Sequence, residues 1–216
     1  MRVVWDQIGE RFFKTGTDRA VLYTYENGYY ADGVAWNGIK SVSNDISGRD
    51  STPLYSGGVR RGILFTGEEY GGSITCYTYP DKFEKCLGGE EIVDGLYLYD
   101  QGSIPFGLTY RTLRGNDTAG HEYGYDIHLI YRSYVTKIDG NSNSLDSNVT
   151  PEEMGFDFTS LPEEAGDYKP VSHLMIRSDR ISASHLQILE NMLYGTPEAN
   201  PRLPLPEDII ELFTEV

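Results

Sequence analysis

The chain has 216 residues, of which 39% are hydrophobic and 24% charged, and its formal net charge is −15. This composition excludes a disordered chain, and the absence of any run approaching the ~20 apolar residues of a spanning helix excludes a membrane protein. The balance of 33 acidic against 18 basic residues disfavours tight binding to a phosphate backbone, which relies on Lys and Arg.

Glycine and tyrosine are abundant, with 24 and 17 copies, which is typical of many short strands joined by tight turns. Residues 1–6 carry an acid where a signal peptide would be apolar, so we expect no export by that route. Two cysteines, Cys76 and Cys86, are too few for a disulfide-stabilised secreted scaffold. We therefore expect a single domain, residues 1–216, that folds in a reducing cytoplasm and is held together by packing.

The first β-prone segment is 20–25, and Asn27-Gly28 after it is a turn signal. Residues 29–39 predict a second strand that bends at its glycines. Residues 40–61 are rich in serine, glycine and charge, and a connection of about twenty residues is long for a compact domain. We predict an extended arm there, with a plain surface loop as the alternative.

Two further strands are predicted at 62–66 and 73–79. Pro80 suits the first turn of a helix, and Phe83 and Cys86 then fall on one face at helical spacing. We therefore expect a short helix of roughly two turns that packs on a sheet and ends at the following pair of glycines.

The longest strand pattern is 123–138, where apolar and polar residues alternate. Together with 106–113 and the polar turn between them, this pattern predicts a hairpin. Strands are also expected at 154–159 and 171–177, and a longer helix at 182–194. The fold class is therefore mainly β with one short and one longer α-helix, followed by a C-terminal extension over 196–216.

No reaction site emerges from the motifs. The chain has no phosphate-binding loop and no nucleophile elbow, and its four histidines stand apart in sequence without metal-site spacing. Asp139, Asn141 and Asn143 match three ligand positions of an EF-hand loop, but Ser144 stands where that loop needs glycine. A polar turn is favoured there, and ion binding at Asp139–Asn143 is left open. We expect no enzyme activity, metal or cofactor.

Three groups of segments, in this order and at this spacing, resemble those of one protein family. They are 76–88; 105–112 with 115–118 and 124–131; and 172–174 with 186–190, 193–196 and 201–206. The family is the major tail (tail tube) proteins of bacteriophages with long non-contractile tails. The resemblance runs from about residue 18 to the C-terminus, and the chain departs from the family pattern in 90–104 and 139–151, which look like variable loops.

The resemblance implies a tail-tube-type β-sandwich or barrel with a long assembly arm. Such subunits form hexameric rings that stack into a hollow tube, the conduit for DNA ejection into the host. It further implies a virion tail protein, assembled in the host cytoplasm, without a membrane partner. Its partners would be copies of itself, the tape measure, tail terminator and distal tail proteins, and genomic DNA that passes without tight binding.

Acids are concentrated in residues 139–216, where 15 acids and four bases give a net charge of −11, against −4 for the rest. In the 40–61 arm, Arg49, Arg60 and Arg61 are candidates to meet this acidic third on a neighbouring subunit, with Tyr55 as an apolar anchor. The negative charge either lines a tube and repels DNA or keeps monomers from associating early. A carbohydrate-binding tail-tip module and a single-ring distal tail or terminator protein are the alternative functions.

Overall fold

The structure is a computed structural model, and it describes residues 2–48, 51–65, 67, 69–142, 144 and 151–214. Strands dominate this part of the chain, and all their pairings are antiparallel, which confirms the mainly β prediction. The strands are β1 (Phe12–Glu26), β2 (Tyr29–Tyr30), β3 (Val34–Ala35), β4 (Ile39–Ser47), β5 (Ser51–Ser56), β6 (Val59–Phe65), β7 (Glu69–Cys76), β8 (Glu90–Val93), β9 (Leu96–Leu98), β10 (Phe106–Asn116), β11 (Gly120–Asp139), β12 (Met154–Ser160), β13 (Glu163–Ala165), β14 (Tyr168–Val171) and β15 (His173–Arg177).

Nine strands form the main sheet, in the order β2-β1-β10-β11-β12-β7-β4, with β3 added to β1 and β15 added to β11. At its centre, β10 and β11 form the hairpin that the alternating pattern predicts. The first half of β11 pairs with β15 and the second half with β12, so the sheet divides at the middle of its longest strand. Three two-stranded sheets, β5–β6, β8–β9 and β13–β14, stand outside it.

Both faces of the main sheet are buried, because successive residues of a strand point to opposite faces. Leu22 of β1 joins one apolar cluster, whereas Val21 and Tyr23 join the other. The first cluster lies inside the curled sheet and contains Trp36, Ile74, Cys76, Phe83, Cys86, Phe106, Leu108, Phe156 and Phe158. The second lies beneath the helices and contains Ile127, Leu129, Tyr131, Leu189, Leu193, Leu203 and Ile209.

The two predicted helices are present. The short one is a 3₁₀ helix, Asp81–Leu87, whose Phe83 and Cys86 are buried. The longer one is α1 (Ala183–Tyr194), which begins where the Ser182 side chain accepts a hydrogen bond from the backbone N–H of His185.

A second α-helix, α2 (Pro206–Thr214), corrects the expectation of only one longer helix. Pro206 and two acids occupy its first turn, where a missing N–H and negative charge are both favourable. Ile209 of α2 and Leu203 just before it are buried in the second cluster. The segment 196–216 therefore contributes packed residues to the core.

The predicted arm at 40–61 is not irregular, and this is a second correction. Its first part is β4, which pairs with β7 at the edge of the main sheet. This strand is hard to recognise because most of its residues are polar and exposed. It lies very close to β7, since a Cβ on Gly72 would overlap the carbonyl oxygen of Ser43. Only the part after β4, the hairpin β5–β6, stands clear of the sheet.

Candidate assembly surface

The hairpin β5–β6 is the most exposed β structure in the described chain. Gly57 and Gly58 make its turn, both with positive φ (60° and 74°), a conformation that glycine adopts without steric cost. Every residue of the two strands except Gly62 is exposed. The exposed apolar residues include Leu54, Tyr55, Val59, Ile63 and Leu64, which are 42–67% exposed.

The structure brings three of the four predicted contact residues together near the tip of this hairpin. Tyr55 lies directly opposite Arg60 in the β5–β6 ladder, and Arg61 follows at an irregularity in the register. Within the described residues, neither arginine has a carboxylate at salt-bridge distance. Arg49, the fourth predicted residue, lies outside the described residues.

A two-stranded hairpin in water is marginally stable unless it packs on something. Exposed apolar patches on a soluble protein typically mark a binding surface. Because β5–β6 has both features and also carries unneutralised positive charge, it is the leading candidate for an inter-subunit contact.

A second exposed hairpin, β8–β9, lies within 90–104, where the chain departs from the family pattern that it resembles. Glu90 pairs with Leu98 and Val93 with Leu96, and the turn between them is Asp94-Gly95. Its exposed apolar residues, 48–60% exposed, are Ile92, Val93, Leu96 and Leu98, with Tyr99 just after it. An Asp-Gly pair flanked by apolar residues is a strong hairpin signal, so this hairpin is predictable from the sequence.

The edge strand β4 offers a third binding element. No strand in the described ranges pairs with its outer edge, and residues 43–47 are exposed, including Ile46 at 61%. An open edge presents backbone donors and acceptors that can recruit a strand of another chain. Residues 2–11 are a fourth element, since Trp5 and Ile8 are 77% and 82% exposed.

The acids of the C-terminal third are less available than their number suggests. The Asp179 carboxylate forms ion pairs with Arg114 at 3.2 Å and with Arg177 at 2.8 Å. Glu163 lies 3.1 Å from Arg132 and accepts a hydrogen bond from the Tyr30 hydroxyl. These carboxylates stabilise the fold itself, so they are poor receptors for arginines of a neighbour.

Two histidines that are 45 residues apart in sequence form a buried pair, contrary to the reading of four separate histidines. His128 Nδ1 and His173 Nε2 are 3.0 Å apart, and the two rings are nearly parallel. Tyr110 stacks on His128 at 4.6 Å and Tyr70 on His173 at 5.0 Å between ring centroids. Burial lowers the pKa of each histidine to about 4, and the positive charge of Lys14 acts in the same direction. The pair is therefore neutral at pH 7.

The two cysteines are buried, as expected of small apolar fillers. Burial raises the pKa of the Cys76 thiol, and raises that of Cys86 to about 12, so neither is a reactive thiolate at neutral pH.

Among the described residues, no group of three or more His, Cys, Asp or Glu side chains is placed to hold a metal ion. Asn143 of the EF-hand-like segment lies outside the described part of the chain. Asp139, the first residue of that segment, forms an ion pair with Lys137 at 2.6 Å. No helix in the described residues is long and apolar enough to cross a membrane.

No protein-family model matches the sequence, and no curated protein matches it. Among solved structures, the chain is similar to a chain of the sheath–tube complex of the extracellular contractile injection system PVC in its extended state. The identity is 13% and the TM-score 0.40, over 74% of this chain and 88% of that one.

Two other structures are similar at the same level. The PVC sheath/tube terminator in the extended state gives 13% identity and a TM-score of 0.38, over 81% of this chain and 99% of that one. A chain of the six-fold symmetrised baseplate of the anti-feeding prophage (AFP) gives 8% identity and a TM-score of 0.41. The match covers 83% of this chain and 100% of that one. Similarity this low does not assign the chain to a family.

Proposed function

We propose that this protein is a structural subunit of a phage-type tail tube. Its copies form hexameric rings, and the rings stack into a hollow conduit for DNA ejection into the host. It acts in the virion tail after assembly in the host cytoplasm. Its protein partners are itself, the tape measure protein that sets tube length, and the terminator and distal tail proteins at the two ends.

The observation that carries this proposal is the hairpin β5–β6, which presents exposed apolar side chains and two arginines on a two-stranded sheet outside the main sheet. Tyr55, Arg60 and Arg61 make the contact to the next subunit, and Arg49, which lies outside the described residues, is a further candidate from the sequence. A standard interface buries on the order of 1,600 Å², and several such contacts per subunit hold a tube together.

The open edge of β4 supports the same reading, because a ring can use sheet edges that a monomeric protein must protect. Pairing β4 with a strand of the neighbouring subunit continues the sheet around the ring. Contacts that join different surfaces of two copies generate rings where the rotation closes and filaments where it does not. A stacked tube needs one contact of each kind.

The net charge of −15 suits a channel for nucleic acid. DNA carries about one negative charge per 1.7 Å of its axis, so an acidic wall repels it. Screening limits this repulsion to roughly 8 Å at physiological salt. DNA near the wall is therefore kept from sticking while its passage stays open.

Excision of the hairpin tests the proposal. A Cβ on Gly48 would lie 3.0 Å from the carbonyl oxygen of Gly67, so the two ends can be joined by deleting 49–66. We expect the wild-type chain, concentrated and viewed by electron microscopy, to form rings or hollow tubes. We expect the deletion variant to fold, with a circular dichroism spectrum that stays mainly β, and to form no tubes.

A matched pair of substitutions controls for surface exposure. Tyr55 and Tyr168 are both 67% exposed, the first on β5 and the second on β14. Tyr55→Asp should block assembly and Tyr168→Asp should not. Single rings without tubes would indicate a terminator or distal tail protein. Normal tubes from the deletion variant would show that the hairpin is not an assembly element, and a wild-type monomer at all concentrations would contradict the proposed function.

A further inference from the structure

The two exposed hairpins carry opposite charge. Residues 51–65 contain Arg60 and Arg61 and no acid, whereas 90–98 contain Glu90, Glu91 and Asp94 and no base. The basic set has no carboxylate within 4.0 Å among the described residues, and the acidic set has no Lys or Arg there within that distance. Glu91 Oε1 accepts a hydrogen bond from the backbone N–H of Gly95, which leaves its negative charge without a basic partner.

The two hairpins also match in form. Each is a two-stranded sheet separate from the main sheet, and each exposes a row of large apolar side chains. Neither is large enough to be stable by itself. A surface that covers one hairpin must bring apolar side chains and charges of the opposite sign, and the other hairpin has both.

The chain attaches them to opposite ends of β7. The β5–β6 hairpin leads into this strand at Glu69, and the strand ends at Cys76, about 23 Å away at 3.3 Å per residue. The 3₁₀ helix that precedes β8 packs at the Cys76 end, because its Phe83 contacts the rings of Trp36 and Phe156. Phe156 pairs with Ile74 beside that end.

We propose, building on the proposed function, that the β5–β6 hairpin of one copy docks on the β8–β9 hairpin of the next copy. Arg60 and Arg61 interact with the acidic side chains of the neighbour's β8–β9 hairpin, and exposed apolar side chains of the two hairpins cover each other. The partner is thus a second copy of this chain, and the receptor is the acidic hairpin. The C-terminal third stays an alternative receptor, although two of its acids, Asp179 and Glu163, already have basic partners.

The arrangement of the hairpins gives the contact a direction. Donor and receptor lie at opposite ends of the same strand, so each copy can bind one neighbour through each end. A contact of this kind joins two different surfaces. Where the rotation between copies does not close it into a ring, it propagates subunits along one axis, which is what the stacking of rings requires.

Charge reversal tests the pairing directly. The variants R60E/R61E and E90K/E91K should each raise the concentration needed for assembly at least 10-fold, because like charges then face each other across the contact. The chain with all four changes should assemble again. An equimolar mixture of the two double variants should also co-assemble, since each supplies the charge that the other has lost.

The control reverses two bases elsewhere, K169E/R180E, which changes the net charge as much as R60E/R61E does. Both bases are exposed, and this variant should assemble like the wild type. If the wild type assembles and E90K/E91K has no effect, or if the fourfold variant is not rescued, the hairpin pairing is wrong while the tube function stands. If the wild type does not assemble under any condition, both proposals fail.

Discussion

The main sheet and the two exposed hairpins differ in whether their apolar side chains are buried. In the sheet, apolar side chains such as Phe106, Leu129 and Ile74 are wholly buried. In β5–β6 and β8–β9, nearly every side chain is exposed, including the apolar ones. This contrast separates the residues that stabilise the fold from those that, under the proposed function, mediate assembly. Substitutions in the sheet should change the free energy of unfolding, and substitutions in the hairpins should change association.

The largest loss of stability is expected for Phe83→Ala. Phe83 is fully buried and contacts the rings of Trp36, Tyr79, Phe106 and Phe156. Removing a buried aromatic ring costs about 3–5 kcal/mol, measured by urea unfolding of the monomer. A loss below about 1 kcal/mol would mean that the 3₁₀ helix is not part of the core.

The next largest effect is expected for Asp126→Asn. The Asp126 carboxylate is 2% exposed and lies 2.8 Å from Lys14 and 3.4 Å from Arg114. Removing one partner of a buried ion pair costs about 3 kcal/mol. Asp139→Asn, which breaks an exposed pair with Lys137, should cost less than about 0.5 kcal/mol. Equal losses of stability for the two variants would contradict the expectation that the buried ion pair contributes more than the exposed one.

The histidine pair should make stability depend on pH. The pKa of His128 and His173 is lowered to about 4 in the fold, from an ordinary value of 6.5. Between these values the unfolded chain binds more protons, so the free energy of unfolding falls as the pH drops from 6.5 to 4, by about 3 kcal/mol for each histidine.

Denaturant titrations at several pH values measure this slope. His173→Gln should reduce it by about half, because one of the two depressed groups is gone. His121→Gln, which changes an exposed histidine, should leave it unchanged. A slope that is the same in all three proteins would show that the buried pair does not control it.

The smallest effect on stability is expected for Tyr55→Ala, at less than about 0.5 kcal/mol, since the side chain is 67% exposed. The same change should weaken association, because a large apolar anchor is lost from the contact. Unfolding and sedimentation measured on one preparation separate the two effects. A large loss of stability with unchanged association would show that Tyr55 stabilises the fold and does not contribute to the proposed contact.

The elements predictable from sequence are those whose pattern matches their burial. The alternation in β10 and β11, and the helical spacing of Phe83 and Cys86, identify a central hairpin and a short helix because both pack on the core. Strand β4 is hard to predict because its exposed side chains are mostly polar, a pattern that indicates an arm. The start of β7 was missed because Gly71 and Gly72, normally turn signals, lie inside the strand where β4 and β12 approach closely.

The contacts of the candidate surface were only partly predictable. The basic tip of the hairpin follows from composition, and Tyr55 beside Arg60 follows from the register of β5–β6. The acidic hairpin β8–β9 was overlooked in spite of its Asp94-Gly95 turn. The pairing of His128 with His173 depends on the β11–β15 register, where Ile130 is opposite His173, and no local pattern encodes such a long-range match.

Hydrogen–deuterium exchange of the monomer and of the assembled protein tests the division between sheet and hairpins most directly. We predict that amides of 51–65 and 90–98 exchange rapidly in the monomer and become protected on assembly, while amides of β10 and β11 are protected in both states. Protection that appears elsewhere on assembly, with both hairpins still exchanging rapidly, would contradict the account.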